Sequence, residues 1–346
     1  MIKGRPAGAK IDVFAPESFL EEEVRPALFI SSRYDPHVDF MVDKYSRRGI
    51  PFIRLNTDDL LQGSDLRITL RRATGYEFRL RVGERSYSDA DIGSVWYRRP
   101  EVPEVSQPVT DQVMRKQAER EAEEAIWGFF QSLHRHKWIS DLGSLRSASY
   151  KVHQLQVASE VGLRVPESLI TVQPGEFQAF WEEHKGQVVY KPLGPNVLTD
   201  TVGASFITHT NKIGVEFFRH LDDIRVSPCL FQEYVEKRLE IRVTVVEDQA
   251  FSCAIHSQDV PEAKVDWRKG DPALLRHTVW NLPPEVETRC VELVRVLGLR
   301  FGAIDLILTP NGEYVLLEIN PNGQWVWIEQ RTGLPISDRL VQALTE

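Results

Sequence analysis

Two apolar, β-branched runs, residues 301–308 and 314–319, flank the pair Asn311-Gly312. No other feature restricts the fold of this chain as tightly, because Asn-Gly between such runs is the strongest short-range signal for a β-hairpin. A two-residue type I′ turn at that pair sets the register by counting. Pro310 then faces Glu313, Leu308 faces Val315, and Asp305 faces Glu318. Directly opposed residues have Cβ atoms about 4.5–5.5 Å apart, and like charges there destabilise a sheet. Asn320 lies two residues beyond Glu318 and shares its face, as do the apolar Ile307 and Leu316. Two carboxylates and an amide oxygen are thus expected to converge on one surface of an otherwise apolar hairpin. A cation between the carboxylates would relieve their repulsion. Oxygen-only ligands favour a hard ion, Mg²⁺ before Ca²⁺, and Mg²⁺ usually brings phosphates with it. The alternative is a solvated acidic face, which the apolar neighbours Ile307 and Leu316 argue against.

The bulk properties narrow the class. A chain of 346 residues is long enough for two or three domains and a substantial core. With 42% hydrophobic and 27% charged residues it is an ordinary globular sequence. A net charge of −8 argues against bulk attraction to nucleic acid or an anionic membrane. Cys229, Cys253 and Cys290 are odd in number and lack CxxC spacing, so they read as reduced core residues of a cytoplasmic protein. No run reaches the ~18 apolar residues of a membrane span, and the first residues lack the apolar core of a signal peptide.

Residues 1–26 form a heterogeneous preface, flexible near 4–9 and acidic at Glu21-Glu22-Glu23. After it, 27–31 reads as a strand, 35–49 as a helix and 51–55 as a second strand, an order that predicts an α/β N-terminal unit. Residues 66–70 and 77–82 read as a meander, and 94–97 as a further strand. A long helix is expected over 109–136, with Val113, Ala118, Ala122, Ala125, Ile126, Phe129, Phe130 and Leu133 on one face and a solvated charge run at 115–124. Another helix covers 149–161, ended by Gly162 and Pro166. Beyond Pro166 strands are expected at 168–172, 187–191, 229–235, 241–246 and 251–255, with helices over 176–184, 284–297 and 336–344.

A phosphate-handling site built on the hairpin carboxylates needs further cations, a hinge for a base, and a basic group near the terminal phosphate. Lys191 ends the apolar strand Val188-Val189-Tyr190-Lys191-Pro192, where its ammonium can enter a cleft, and Lys151 opens a helix. Either alone also reads as a surface lysine. Gln232-Glu233-Tyr234-Val235 is an extended segment whose backbone suits an adenine edge, with Glu236 or its neighbours near a ribose. Glu240-Ile241-Arg242 and Asp266-Trp267-Arg268 each set an acid and an arginine two apart. Arginine forks match phosphate and carboxylate oxygens, although each pair alone also reads as a structural ion pair.

In this order the motifs resemble the ATP-grasp ligases over roughly residues 140–346. The resemblance implies an ATP-grasp fold of the α/β (α+β) class with an N-terminal α/β pre-ATP-grasp domain. Its divisions would be 1–26 as an extension, 27–138 as the pre-ATP-grasp domain, 139–230 as the central subdomain, and 231–346 as the C-terminal subdomain with the metal hairpin. It implies ATP and Mg²⁺ as cofactors. Lys151 and Lys191 would hold phosphates, Gln232, Glu233, Tyr234, Val235 and Glu240 would bind the nucleotide, and Asp305, Glu318 and Asn320 would hold Mg²⁺. Arg242 and Arg268, with Asp266, would form the catalytic group that steadies a γ-phosphate or acyl-phosphate. Such chemistry relies on positioning and charge neutralisation.

A narrower set, residues 94–100, 265–268 and 318–325, resembles the graspetide synthetases, the ATP-grasp maturases of microviridin-type peptides. This implies a macrocyclising ligase that joins Asp or Glu side chains to Ser or Thr hydroxyls, or Lys amines, within a ribosomal precursor carrying a leader and an acidic core. No nucleic acid or membrane partner is implied, and a homodimer is possible. An acidic substrate on a net acidic enzyme requires local positive charge, from Arg98, Arg99, Lys237, Arg238, Arg242, Arg268 and Lys269. Arg98-Arg99 also reads as a structural link between domains, and Trp96 and Tyr97 as core. Residues 13–21 have the texture of a leader helix, so the preface reads as a leader mimic or as an ordinary extension. Two alternatives share the nucleotide site: a ligase adding glutamate or another amino acid, and a nucleotide-binding module without catalysis.

Overall fold

The structure is a computed structural model, and it describes residues 24–61, 64–105, 109–194, 197–199, 205–271 and 273–346. The leader-like reading of residues 13–21, and nearly all of the expected extension 1–26, fall outside the described residues.

Four parallel strands form the first sheet, in the order Phe52–Asn56, Ala27–Ser31, Ser94–Tyr97, Lys137–Ile139. The expected β-α-β start is present, with helix Pro36–Arg48 between the first two strands. Its limits follow from local chemistry. Asp35 caps it by accepting from His37 N at 2.9 Å and from Val38 N, Pro36 takes the first helical position, and Gly49 leaves the helix at φ 66°. An antiparallel sheet of Ser64–Arg71, Gly75–Val82 and Arg85–Tyr87 presses Phe78 and Leu80 onto Ile126, Phe129 and Phe130 of helix Gln112–Ser132. Only that end of the helix is buried. Val113, expected on the same apolar face, is 75% exposed.

The helix expected over 149–161 is present as Lys151–Glu160, and a separate helix that the sequence reading did not include, Leu142–Ala148, precedes it. Asp141 caps the earlier helix through Gly143 N and Ser144 N, and Tyr150 is extended between them. The break puts Lys151 at the start of the second helix.

Two larger antiparallel sheets follow, beside the small pair Val197–Thr199 and Ser205–Ile207. One has the order Asn211–Lys212, Val188–Lys191, Cys229–Glu233, Ser168–Thr171. The other has the order His277–Val279, Gln249–Ile255, Leu239–Val246, Phe301–Leu308, Tyr314–Asn320. One face of the latter packs Ile241, Val243, Val245, Ile304, Leu306 and Leu308 against Leu293 and Val294 of helix Pro284–Val296. Helix Val326–Thr332 follows the hairpin and was not expected from the sequence.

The hairpin meets one expectation and corrects two. Thr309 N donates to Glu313 O at 2.9 Å, Gly312 N donates to Thr309 O at 3.1 Å, and Gly312 has φ 91°. The connection is therefore a three-residue loop, a type I turn closed by a left-handed glycine, rather than a two-residue type I′ turn. Pro310 accounts for this, because its fixed φ suits the second position of a type I turn. The longer loop slips the register by one, so Leu308 faces Tyr314 rather than Val315. A bulge at Leu317 then takes up one residue on the second strand and restores Asp305 opposite Glu318. Leu316 turns into the main core instead of sharing the carboxylate face, and Leu317 packs near Ile307, Val315 and Val235.

Burial, followed by the charge of Arg98, pushes the pKa of His37 down to about 3 against the pull of Asp35. The folded protein thus refuses a proton that the unfolded chain accepts below the ordinary value of 6.5. Stability should fall as pH drops below that value, by up to about 1.4 kcal/mol per unit from this group. His277, pushed down to about 4, adds a second contribution of the same sign. Urea unfolding between about pH 7 and 5 measures the slope. His37→Phe should make it shallower, and an unchanged slope would place the effect in other groups.

Candidate active site

A slot and a chamber adjoin between the two antiparallel sheets. Val189, Val235, Ile307 and Leu317 supply the apolar walls of the slot, and Gln232, Lys237, Glu240 and Asp266 its polar groups. The chamber, about 510 Å³, is lined by Arg146, Tyr150, Lys151, Thr208, Asn320 and their neighbours. Lys191, Thr210, Arg268 and Glu318 line both. An apolar slot opening through three charged side chains into a polar chamber suits a molecule with a flat apolar end and a highly charged tail.

Glu318 is the centre of this junction. Lys151 donates to its Oε2 at 2.7 Å, and Arg268 Nη1 lies 3.6 Å from its Oε1. Burial pushes the carboxyl up, but Lys151, Lys191 and Arg268 together hold it at about 2. Burial lowers Lys191 to about 8 despite the pull of Glu318, so it still carries charge at neutral pH. Arg268 is held fully charged: Asp266 grips it at 2.9 and 3.2 Å and outweighs the cost of its burial. Asp266 itself is buried, and Arg268 keeps it ionised below the usual carboxylate range. Because it also accepts from Thr210 N and Arg268 N, Asp266 orients Arg268 and has no proton to give.

The remaining residues singled out in the sequence divide into those that reach the cleft and those that support it. Gln232, Glu233, Tyr234 and Val235 line the slot as a group. The N–H groups of Glu233 and Tyr234 are engaged by Glu167 O and Gln187 O. Gln232 Nε2 donates to Ser168, which leaves its buried Oε1 without a partner. Glu240 is ion-paired with Lys237 at 2.8 Å. Arg242 is absent from both linings. Its fork lies on Asp305 at 2.7 and 3.3 Å, and its third nitrogen donates to Gln324 O at 3.0 Å. Arg98 is also buried, away from the cleft. Thr210 and Leu317 line the slot but were not singled out, and Ile307 was named only as an apolar neighbour of the carboxylates. A bulge that turns consecutive residues to one face gives no periodic signal, so Leu317 was not legible from the sequence.

Two fits follow from this geometry. The unpartnered Gln232 Oε1 at the wall of an apolar slot suits an amino donor such as the exocyclic amine of adenine. Among the described residues no three His, Cys, Asp or Glu side chains gather as metal ligands. The donor set of Asp305, Glu318 and Asn320 is two carboxylates and an amide, which suits Mg²⁺ when substrate phosphates and water complete the shell.

Comparison with known proteins defines the class. Residues 148–344 match the RimK-like ATP-grasp domain, and residues 28–146 match the MvdD pre-ATP grasp domain. The chain belongs to the RimK-like ATP-grasp family. Among solved structures it is similar to the macrocyclase MdnC of Microcystis aeruginosa bound with precursor peptide MdnA, at 26% identity and TM-score 0.79, covering 92% of this chain and 99% of that one. It is also similar to a Chryseobacterium gregarium RiPP-associated ATP-grasp ligase in complex with ADP and a leader and core peptide. That match has 27% identity and TM-score 0.83, covering 92% and 96% of the two chains. Curated relatives are more distant. A probable alpha-L-glutamate ligase of Chromohalobacter salexigens is 22% identical over 207 residues, 59% of this chain, and one of a Picosynechococcus strain is 25% identical over 200 residues, 56% of this chain. The chain spans 62–65% of the length of these two relatives. Among the described residues no helix is long and apolar enough to cross a membrane.

Lys191→Met removes one of the two cations shared by slot and chamber. Nucleotide affinity should fall about tenfold or more, since charge-assisted bonds to phosphate are lost. Thermal stability should hold or rise, because a buried charge has been removed. Titration with a fluorescent nucleotide beside a melting curve reads both. Retained affinity with a lowered Tm would contradict the assignment.

Proposed function

We propose that this chain is an ATP-dependent ligase that activates Asp or Glu side-chain carboxylates of a ribosomal precursor peptide as acyl-phosphates. It then joins them to Ser or Thr hydroxyls or Lys amines of the same peptide, closing macrocycles with ester or amide links. The observation that carries this reading is the similarity to a macrocyclase bound with its precursor peptide and to a RiPP-associated ATP-grasp ligase, which runs through 92% of the chain and takes in the N-terminal sheet as well as the cleft.

The chemistry follows from the groups at the junction. Adenine would occupy the slot against Val189, Val235, Ile307 and Leu317, with Gln232 Oε1 accepting from its amine. The triphosphate would run past Lys191 to Lys151 and Arg268. Mg²⁺ held by Asp305, Glu318 and Asn320 would neutralise phosphate charge. A substrate carboxylate oxygen attacks the γ-phosphorus, and the bond to ADP breaks. Arg268, fixed by Asp266, neutralises the charge on the transferred group. The hydroxyl or amine of the acceptor attacks the acyl carbon, phosphate departs, and the acceptor's proton leaves with phosphate or to solvent. The peptide loses one water per bond formed. Near the chamber the positive charge comes from Arg146, Lys151, Lys191 and Arg268, which gives an acidic peptide a cationic destination inside a net acidic protein.

A second reading rests on the curated glutamate ligases: the same cleft would add glutamate to a protein or small molecule. Incubation with ATP, Mg²⁺ and the acidic peptide encoded beside the gene separates the two. Mass loss of one water per bond supports macrocyclisation, whereas mass gain of glutamyl units overturns it. Asp305→Asn and Glu318→Gln should each abolish ligation while leaving the fold intact, and turnover retained in either would contradict the metal assignment. Arg268→Ala should lower kcat by about a hundredfold or more with little change in ATP affinity. The reverse pattern would remove Arg268 from the transferred phosphate.

A further inference from the structure

The turn 321–324 directly follows Asn320, and two buried arginines hold it from different sheets. From the five-stranded sheet, Arg242 Nη1 donates to Gln324 O at 3.0 Å while the rest of its fork grips Asp305. From the parallel sheet comes Arg98, whose N–H donates to Ile30 O at 2.9 Å. Its side chain is fully buried, with Nη1 donating to Asn322 O at 3.1 Å and Gly323 O at 3.3 Å. Asn322 Nδ2 answers by donating to Arg98 O at 3.1 Å. The guanidinium rests 5.3 Å from the Trp96 ring centre, and Asp35 lies 3.7 Å from its Nε.

The turn has no slack. A Cβ on Gly323 would stand 2.3 Å from the Ala303 Cβ, and Ala303 is the register partner of Asn320, two residues from Asp305. Arg98 is also a poor source of stability. Its Nε and Nη2 are buried without hydrogen-bond partners, and a guanidinium buried in that state costs free energy. What it does fix is the position of two carbonyls in the turn that leads from the metal amide to the anchor of Arg242.

We propose that Arg98 is a positioning residue for the metal site, and that through the turn 321–324 the parallel sheet sets how Asp305 and Asn320 are presented to the ion. This inference rests on the Mg²⁺ assignment made above. It makes the N-terminal sheet part of the catalytic apparatus without any of its side chains touching the nucleotide.

Mn²⁺ binding to the full-length protein saturated with ADP, followed by electron paramagnetic resonance, tests it without turnover. Partners one step behind a metal ligand typically change metal affinity about 10–100-fold when removed. Asn322→Ala keeps the Arg98–Asp35 pair and should weaken Mn²⁺ binding about tenfold, while ADP affinity without metal stays unchanged. Arg98→Met should weaken it at least as much, and Arg98→Lys should fall between Arg98→Met and wild type. Asp305→Asn is the reference and should lose the site. If Asp305→Asn loses Mn²⁺ but folded Asn322→Ala and Arg98→Lys bind as wild type, the positioning role is overturned and the metal assignment stands. If Asp305→Asn binds as wild type, the metal assignment itself is overturned, and this inference with it. Should Arg98→Met fail to fold, Asn322→Ala and Arg98→Lys decide the matter.

Discussion

Asp305 and Glu318 face each other across a hairpin, and two carboxylates so placed repel. At about 5 Å and an effective dielectric of about 20 the repulsion is about 3 kcal/mol. Much of the surrounding structure answers that repulsion. Arg242 covers Asp305 with a two-pronged contact, and Lys151 and Arg268 converge on Glu318. Asp266 in turn holds Arg268, and Gln324 holds Arg242. Glu318 is therefore held ionised at the meeting point of slot and chamber, with Asp305 lining the slot beside it, where a phosphate chain with its metal would add charge of both signs.

The hairpin also shows how far a sequence can be read. The facing carboxylates were legible because Asn311-Gly312 marks the turn and apolar, β-branched runs flank it. They were reached through two errors that cancel. Pro310 lengthens the loop by one residue, and the bulge at Leu317 takes one back. Counting senses only the difference between these. The bulge leaves a mark elsewhere, since it delivers Leu317 to the slot and Glu318 to the junction from consecutive positions, a pattern that no period of two contains. The strand-ending Lys191 and the hinge 232–235 were legible because an apolar strand fixes where its last residue points. The role of Arg242 was not: a strand residue's partner across the sheet depends on a register that closes over 63 residues. Helix Leu142–Ala148 was missed because it is short, and its start is marked only by the cap at Asp141, with Ser149 and the extended Tyr150 dividing it from Lys151–Glu160.

Family membership and geometry contribute different parts of the functional reading. The RimK-like ATP-grasp match covers the cleft-bearing sheets, and the cleft offers a cationic chamber beside an apolar slot. Neither distinguishes a peptide carboxylate from an amino acid. The match of residues 28–146 to the MvdD pre-ATP grasp domain adds the parallel sheet, and that sheet is tied to the hairpin through Arg98 and the turn 321–324. The N-terminal sheet is thus joined by hydrogen bonds, and not merely by chain connectivity, to the hairpin that carries Asp305, Glu318 and Asn320.

The central claim is that a carboxylate is activated by phosphoryl transfer at the Glu318 junction. Isotope transfer tests it most directly. The acidic peptide is prepared with ¹⁸O in its side-chain carboxylates and incubated with the enzyme, ATP and Mg²⁺. The inorganic phosphate released is then analysed by mass spectrometry. Activation as an acyl-phosphate leaves one carboxylate oxygen on phosphate for each bond made. Phosphate without the label, or label found in AMP, would contradict the claim.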